Sequence, residues 1–153
     1  MRYLKYGIAA AVVSLAAASV AAVAAEGNPV VDRKAVMQSV GAAAGLGGGM
    51  MKGEIAYTPA AGKAAIATMN AAGHTFGALF PDGSDVAADT TAAPKIWEDR
   101  AGFEAELAKF SGAAHAAAAA SGKEGPADIE AFKASFAPIL GTCKSCHEGY
   151  RVK

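Results

Sequence analysis

Cys143-Lys144-Ser145-Cys146-His147-Glu148-Gly149-Tyr150-Arg151 stands almost at the end of this 153-residue chain. On a helix, residues three and four apart share a face, so two thiols and an imidazole project together from this stretch. Upstream, Ile129, Phe132, Phe136, Leu140, Cys143, His147 and Tyr150 recur at steps of three and four. Ile96, Phe103, Leu107, Phe110 and Ala114 repeat the pattern at steps of three, four and seven. Each set draws one apolar stripe along a helix.

Proline and glycine punctuate the rest into helical segments. The first runs from about Pro29 to Lys52, with Asn28-Pro29 as N-cap and first-turn proline. The second runs from about Pro59 to Leu79, where Thr58-Pro59 repeats that signature. A loop rich in Pro, Gly, Asp and Thr spans roughly Phe80 to Ala93. The third segment extends from Pro94 to about Ser121, and the fourth from Pro126 or Ala127 to about Tyr150. Pro138 is expected to bend the fourth, because it removes a ladder hydrogen bond. Gly45, Gly47, Gly48 and Gly49 each weaken the first helix by about 1 kcal/mol relative to Ala. They mark either close approach of a neighbour or a frayed end. Four helices joined by short or moderate loops predict an all-α, antiparallel up-down-up-down four-helix bundle. Large apolar side chains are scarce for its size, which leaves room for a group in the middle.

The first 25 residues read differently. Arg2 and Lys5 precede an uncharged Ala/Val-rich run, Gly7 to Ala25, that ends in small residues before Glu26. This is the pattern of a cleaved signal peptide, leaving 26–153 as the mature domain. The alternative is an uncleaved membrane anchor; the run is at the lower length limit for spanning a bilayer. After cleavage no stable membrane insertion is expected. The whole chain carries 14 basic and 14 acidic residues. Loss of Arg2 and Lys5 leaves 12 against 14, slightly acidic, with no basic excess for nucleic acid. Export to the periplasm places Cys143 and Cys146 where thiols do not stay free unless occupied.

Cys-x-x-Cys-His is the attachment signature of haem c. Cys143 and Cys146 can form thioethers to one porphyrin, and His147 beside them can offer its imidazole to the iron. A thiol-redox pair is the first alternative, but that motif opens a helix after a strand, and here it ends a helix among helices. Half a zinc site is the second, but no further Cys/His pair completes it. The other histidines, His74 and His115, read as surface or partly buried residues and not as haem ligands.

A helical chain with this motif at its C-terminal end resembles the class II c-type cytochromes, the superfamily of cytochrome c′. Further residues carry the resemblance along nearly the whole mature chain. They are Arg33 with Met37, Met51-Lys52-Gly53, Leu79-Phe80-Pro81, Pro94-Lys95-Ile96-Trp97, and the terminal Cys143 to Arg151. Cytochrome c′ is a standard example of the up-down-up-down bundle, so the resemblance implies that architecture too. It also implies that Met37 occupies the distal position and that Trp97 packs against the porphyrin edge. Trp97 also fits an ordinary core aromatic. One branch of the superfamily, the c-556 type, is low-spin with a first-helix Met as sixth ligand. The other, cytochrome c′ itself, is five-coordinate and binds NO and CO. The Leu79–Asp82 and Ala93–Arg100 stretches look closer to the low-spin branch, although Met occurs distally in some high-spin members.

Thioether sulfur suits haem iron, and a His/Met pair raises the reduction potential. Arg33 and Met37 share a helical face, so Arg33 can pair with a propionate while Met37 reaches the iron. Met37 as plain core packing is the alternative; Met50, Met51 and Met69 are weaker candidates. Arg151 is read either as a second propionate partner or as a solvated charge favouring the helix C-terminus. The expectation is a periplasmic monohaem electron carrier, not an enzyme, serving periplasmic redox proteins as monomer or homodimer. The alternative is an NO/CO-binding protein with five-coordinate iron.

Overall fold

Asn28 opens the first helix by accepting a hydrogen bond from the Val30 amide at 3.0 Å, with Pro29 in the first helical position. The computed structural model describes residues 27–85 and 89–152, so the leader expected at 1–25 lies outside the described residues. Helix α1, Pro29–Lys52, ends at Gly53, whose φ of 78° supplies the left-handed cap that glycine adopts without strain. Thr58 caps α2, Pro59–Thr75, through the Ala61 amide at 3.1 Å. A 3-10 turn, Phe76–Leu79, then completes the second expected segment.

The third and fourth segments are each broken, where the sequence pattern predicts continuous helices. The third divides into α3, Lys95–Glu98, and α4, Arg100–Ser121. Asp99 between them leaves helical geometry (φ −125°, ψ 60°) and its carboxylate accepts from the Gly102 amide at 3.1 Å as the cap of α4. The fourth divides into α5, Ile129–Gly141, capped by Asp128, and α6, Cys143–Tyr150. Helix α5 continues through Pro138, and the break falls at Thr142 instead. There the Thr142 amide and hydroxyl both donate to the Ile139 carbonyl, at 3.1 and 2.8 Å. That carbonyl is thereby diverted from the next amide of a regular helix, and α6 starts afresh.

The segments form a four-helix bundle. α1 packs on α2, α2 on α4, α4 on α5, and α5 closes back on α1. Antiparallel pairing of α2 and α4 is direct: Gly73 lies against Ser111 and Gly77 against Leu107. One apolar cluster, centred on Ile66, Met69, Phe132, Phe136 and Ile139, fills one part of the bundle. A second joins Phe76, Phe80, Ile96, Phe103 and Tyr150. Val36 and Met37 touch both.

The glycine run of α1 is regular helix, not a frayed end. A Cβ at Gly47 would overlap the Phe136 ring, and one at Gly49 would press on Ile55 at 2.7 Å. Gly45 and Gly48 have nothing within 4 Å of that position. Close approach therefore explains two of the four. Gly47→Ala is expected to destabilise the haem-loaded protein by roughly 1–3 kcal/mol through overpacking. Gly45→Ala is expected to stabilise it by roughly 0.5–1 kcal/mol. Thermal denaturation of both variants checks the pair.

Candidate haem site

Thr142 itself keeps helical dihedrals (φ −81°, ψ −18°), and beyond it the first two turns of α6 carry Cys143, Cys146 and His147 along one side. All three line a cavity of about 720 Å³. Helix α1 contributes Arg33, Met37, Val40 and Ala44 to the same cavity. Helix α4 contributes Phe103, Glu106, Leu107 and Phe110, α3 contributes Ile96, and the 3-10 turn and the residue after it contribute Phe76 and Phe80. Tyr150 and Arg151 complete the α6 side. The size is that of a cofactor pocket, and the lining is mostly apolar with a few convergent polar groups.

Three contacts hold α6 against the cavity. Ser145 donates its hydroxyl hydrogen to Glu106 on α4 at 2.6 Å, and Glu106 is also paired with Lys109. These hydrogen bonds keep the Glu106 carboxyl below its ordinary pKa. Tyr150 donates to the Asp99 carboxylate at 2.8 Å. Burial and that carboxylate push the Tyr150 phenol up to about 12. Beyond α6 the backbone pairs with the incoming loop: Ala93 donates to the Tyr150 carbonyl at 3.0 Å and Val152 to the Thr91 carbonyl at 2.9 Å.

The two thiols are half-buried and unlinked. Burial pushes both above the ordinary thiol pKa, with the Glu106 charge adding to the effect at Cys146. A thiol-redox pair needs the opposite, a depressed thiol pKa. Among the described residues no group of three or more His, Cys, Asp or Glu is arranged to hold a metal ion. His147 is exposed at the cavity rim, and partial burial followed by the Arg151 charge lowers its pKa.

Arg33 is only 5% exposed, unusual for a guanidinium. Its guanidinium lies 4.8 Å from the Phe80 ring centroid and 5.6 Å from that of Trp97, within cation–π range. It donates to the Ser84 carbonyl at 2.8 Å and to the Ser84 hydroxyl at 3.3 Å. Its buried Nε has no hydrogen-bond partner. Burial lowers its pKa from the ordinary arginine value. A buried cation with a spare donor at a cavity wall suits a carboxylate of a bound group.

Of the residues singled out in the sequence, the structure brings Cys143, Cys146, His147, Met37, Arg33 and Arg151 to one cavity. Trp97 is not part of the lining. It stands behind Phe80, with ring centroids 6.0 Å apart, and its indole N–H donates to the Pro81 carbonyl at 3.2 Å. Sequence reasoning missed Glu106, Ser84 and the Asp99–Tyr150 pair. The Tyr150 stripe position marks it as inward-facing, but nothing in helical periodicity signals a loop serine or a helix-breaking Asp99.

Two thiols and an imidazole on one short helix, a thioether on another, and a buried cation fit a covalently anchored haem. Fold and site thus define a helical-bundle haem c protein. A family model described as Cytochrome C′ matches residues 28–151. The chain is 37% identical over 130 residues to a cytochrome c′ of Rhodopseudomonas palustris (strain ATCC BAA-98 / CGA009), covering 84% of this chain and 85% of that one. It is 32% identical over 121 residues to a cytochrome c-556 of Agrobacterium tumefaciens (strain II Chrys), covering 79% and 94%. A solved cytochrome c′ from Rhodopseudomonas palustris is similar with a TM-score of 0.74 and 35% identity, over 84% of this chain and 98% of that one. The chain belongs to the cytochrome c′ family, whose relatives here include both cytochromes c′ and c-556. The family binds haem c covalently through cysteines, and Cys143 and Cys146 are the two this chain has. Among the described residues no helix is long and apolar enough to cross a membrane.

The Tyr150–Asp99 bond has a pH signature. The phenol's ordinary pKa is 10.0 and its folded value is about 12. Stability from the protonated form is therefore full below pH 10 and lost as pH rises towards 12. Tyr150→Phe is expected to be less stable at neutral pH and to lose this alkaline decline. Denaturant unfolding between neutral pH and pH 12 measures it.

Proposed function

We propose that this chain is a periplasmic monohaem electron carrier in which His147 and Met37 are the axial ligands. The observation that supports it most is the lining of one cavity by His147 from α6 and Met37 from α1. The iron of haem c supplies a one-electron ferric/ferrous couple. Cys143 and Cys146 would fix the ring to α6, and His147, next to them in the chain, would offer its imidazole to the iron. Met37 offers a soft thioether from α1, and a His/Met set favours a raised potential.

Arg33 lies one turn before Met37 and holds its charge in the wall through Ser84 and the Phe80 and Trp97 faces. In this reading it meets a haem propionate. Trp97 acts on the site through Phe80 and Arg33, and Arg151 adds an exposed cation at the rim. The carrier reading needs no acid/base pair or nucleophile and is not that of an enzyme. The signal-like segment 1–25 supports export, with periplasmic redox proteins as donor and acceptor. No nucleic-acid or lasting membrane partner is proposed; the chain acts as monomer or homodimer.

The cytochrome c′ relatives and the apolar wall of Val40, Ala44 and Phe76 favour a second reading. In it Met37 is a lid over five-coordinate iron that takes NO or CO. Absorption spectra of the oxidised and reduced haem-loaded protein, with and without CO, separate the two. The carrier reading predicts low-spin spectra, a ferric thioether charge-transfer band and no response to CO. Met37→Ala then becomes CO-reactive and its potential falls. High-spin spectra and CO binding in the parent, or a Met37→Ala variant matching the parent, would replace the first reading with the second.

A further inference from the structure

Outside the haem cavity, two histidines from different helices come together. His74 on α2 and His115 on α4 are both exposed, and their ring centroids lie 6.2 Å apart at an interplanar angle of 79°. They are the only histidines of the chain besides His147. Two imidazoles sharing one ion, with metal–nitrogen bonds of about 2.0–2.1 Å, hold their ring centroids roughly 5–6 Å apart. The observed spacing lies slightly beyond that range, and rotation of the two exposed side chains closes the difference. The backbones beneath are closely packed at this point: Gly73 lies directly on Ser111, where an added Cβ would meet the Ser111 Cα at 3.0 Å.

A second observation lies one turn back on α2. Asn70 is at i−4 from His74 and so shares its face. Its Oδ1 is buried and has no hydrogen-bond partner. A buried amide oxygen left unpaired costs stability unless something meets it. An ion held by the two rings, or a water on it, would supply a partner only if the Asn70 side chain turned towards His74.

We propose that His74 and His115 bind one divalent transition-metal ion across α2 and α4, with cupric ion favoured over nickel and zinc. The order follows from the imidazole donors and the general rise of affinity to copper. Among the described residues no third His, Cys, Asp or Glu completes the set, so water fills the remaining positions and the ion is exchangeable. The clamp would join α4, which carries the Leu107/Phe110 wall of the haem cavity, to α2, which leads into the turn that carries Phe76. It does not depend on how the haem iron is ligated.

The test uses the oxidised haem-loaded protein, titrated with Cu²⁺ in a calorimeter, alongside thermal unfolding with Zn²⁺, which is redox-inert. One equivalent of saturable Cu²⁺ binding and a Zn²⁺-dependent rise in melting temperature are expected. His74→Ala and His115→Ala should each abolish both, while their haem spectra and folded baseline match the parent. Absence of saturable binding, or binding that survives either histidine substitution, overturns the proposal.

Discussion

The structure depends on the contacts that hold α6, the helix of the Cys-x-x-Cys-His motif, against the rest of the bundle. Helix α5 buries Phe132, Phe136 and Ile139, and α6 beyond it presents two thiols and an imidazole to the cavity. It is then held by Ser145 on Glu106, by Tyr150 on Asp99 and by backbone pairing with residues 91–93. Asp99 serves both breaks, capping α4 and anchoring the end of α6.

Composition and cavity are two sides of one constraint. The bundle is rich in Ala and Gly, so α1 and α5, and α2 and α4, approach closely at Gly47 and Gly73. Its large buried side chains gather in two groups, bridged by Val36 and Met37. The cavity borders both groups, lined by members of each. A buried arginine there would be costly in a plain apolar core. Here it is met by Ser84 and two aromatic faces, with one N–H still unpaired.

Much of this was legible in the sequence. The four-helix architecture follows from the apolar stripes and the Asn28-Pro29 and Thr58-Pro59 starts, and α1 and α2 begin where those signals put them. The Cys143–His147 spacing and the Arg33–Met37 step place their residues on shared faces, and all of them line the cavity. What periodicity could not reveal were the breaks at Asp99 and Thr142. Both come from a side chain competing for backbone groups, a local event that leaves the apolar stripe intact. Ser84 was hidden for a related reason: it acts from a loop, where no repeat constrains which residue turns inward. The resemblance implies Trp97 at the porphyrin edge; in the structure Phe80 lines the cavity and Trp97 does not, its ring lying 6.0 Å from that of Phe80.

The central claim is that Met37 joins His147 at the iron. Proton NMR of the reduced haem-loaded protein, with methionine methyls isotopically labelled, tests it most directly. A thioether bound above a porphyrin has its methyl shifted strongly upfield by the ring current. The account predicts one such resonance, lost in Met37→Leu. A spectrum with every methionine methyl at ordinary positions, or an upfield signal that persists in Met37→Leu, would contradict it.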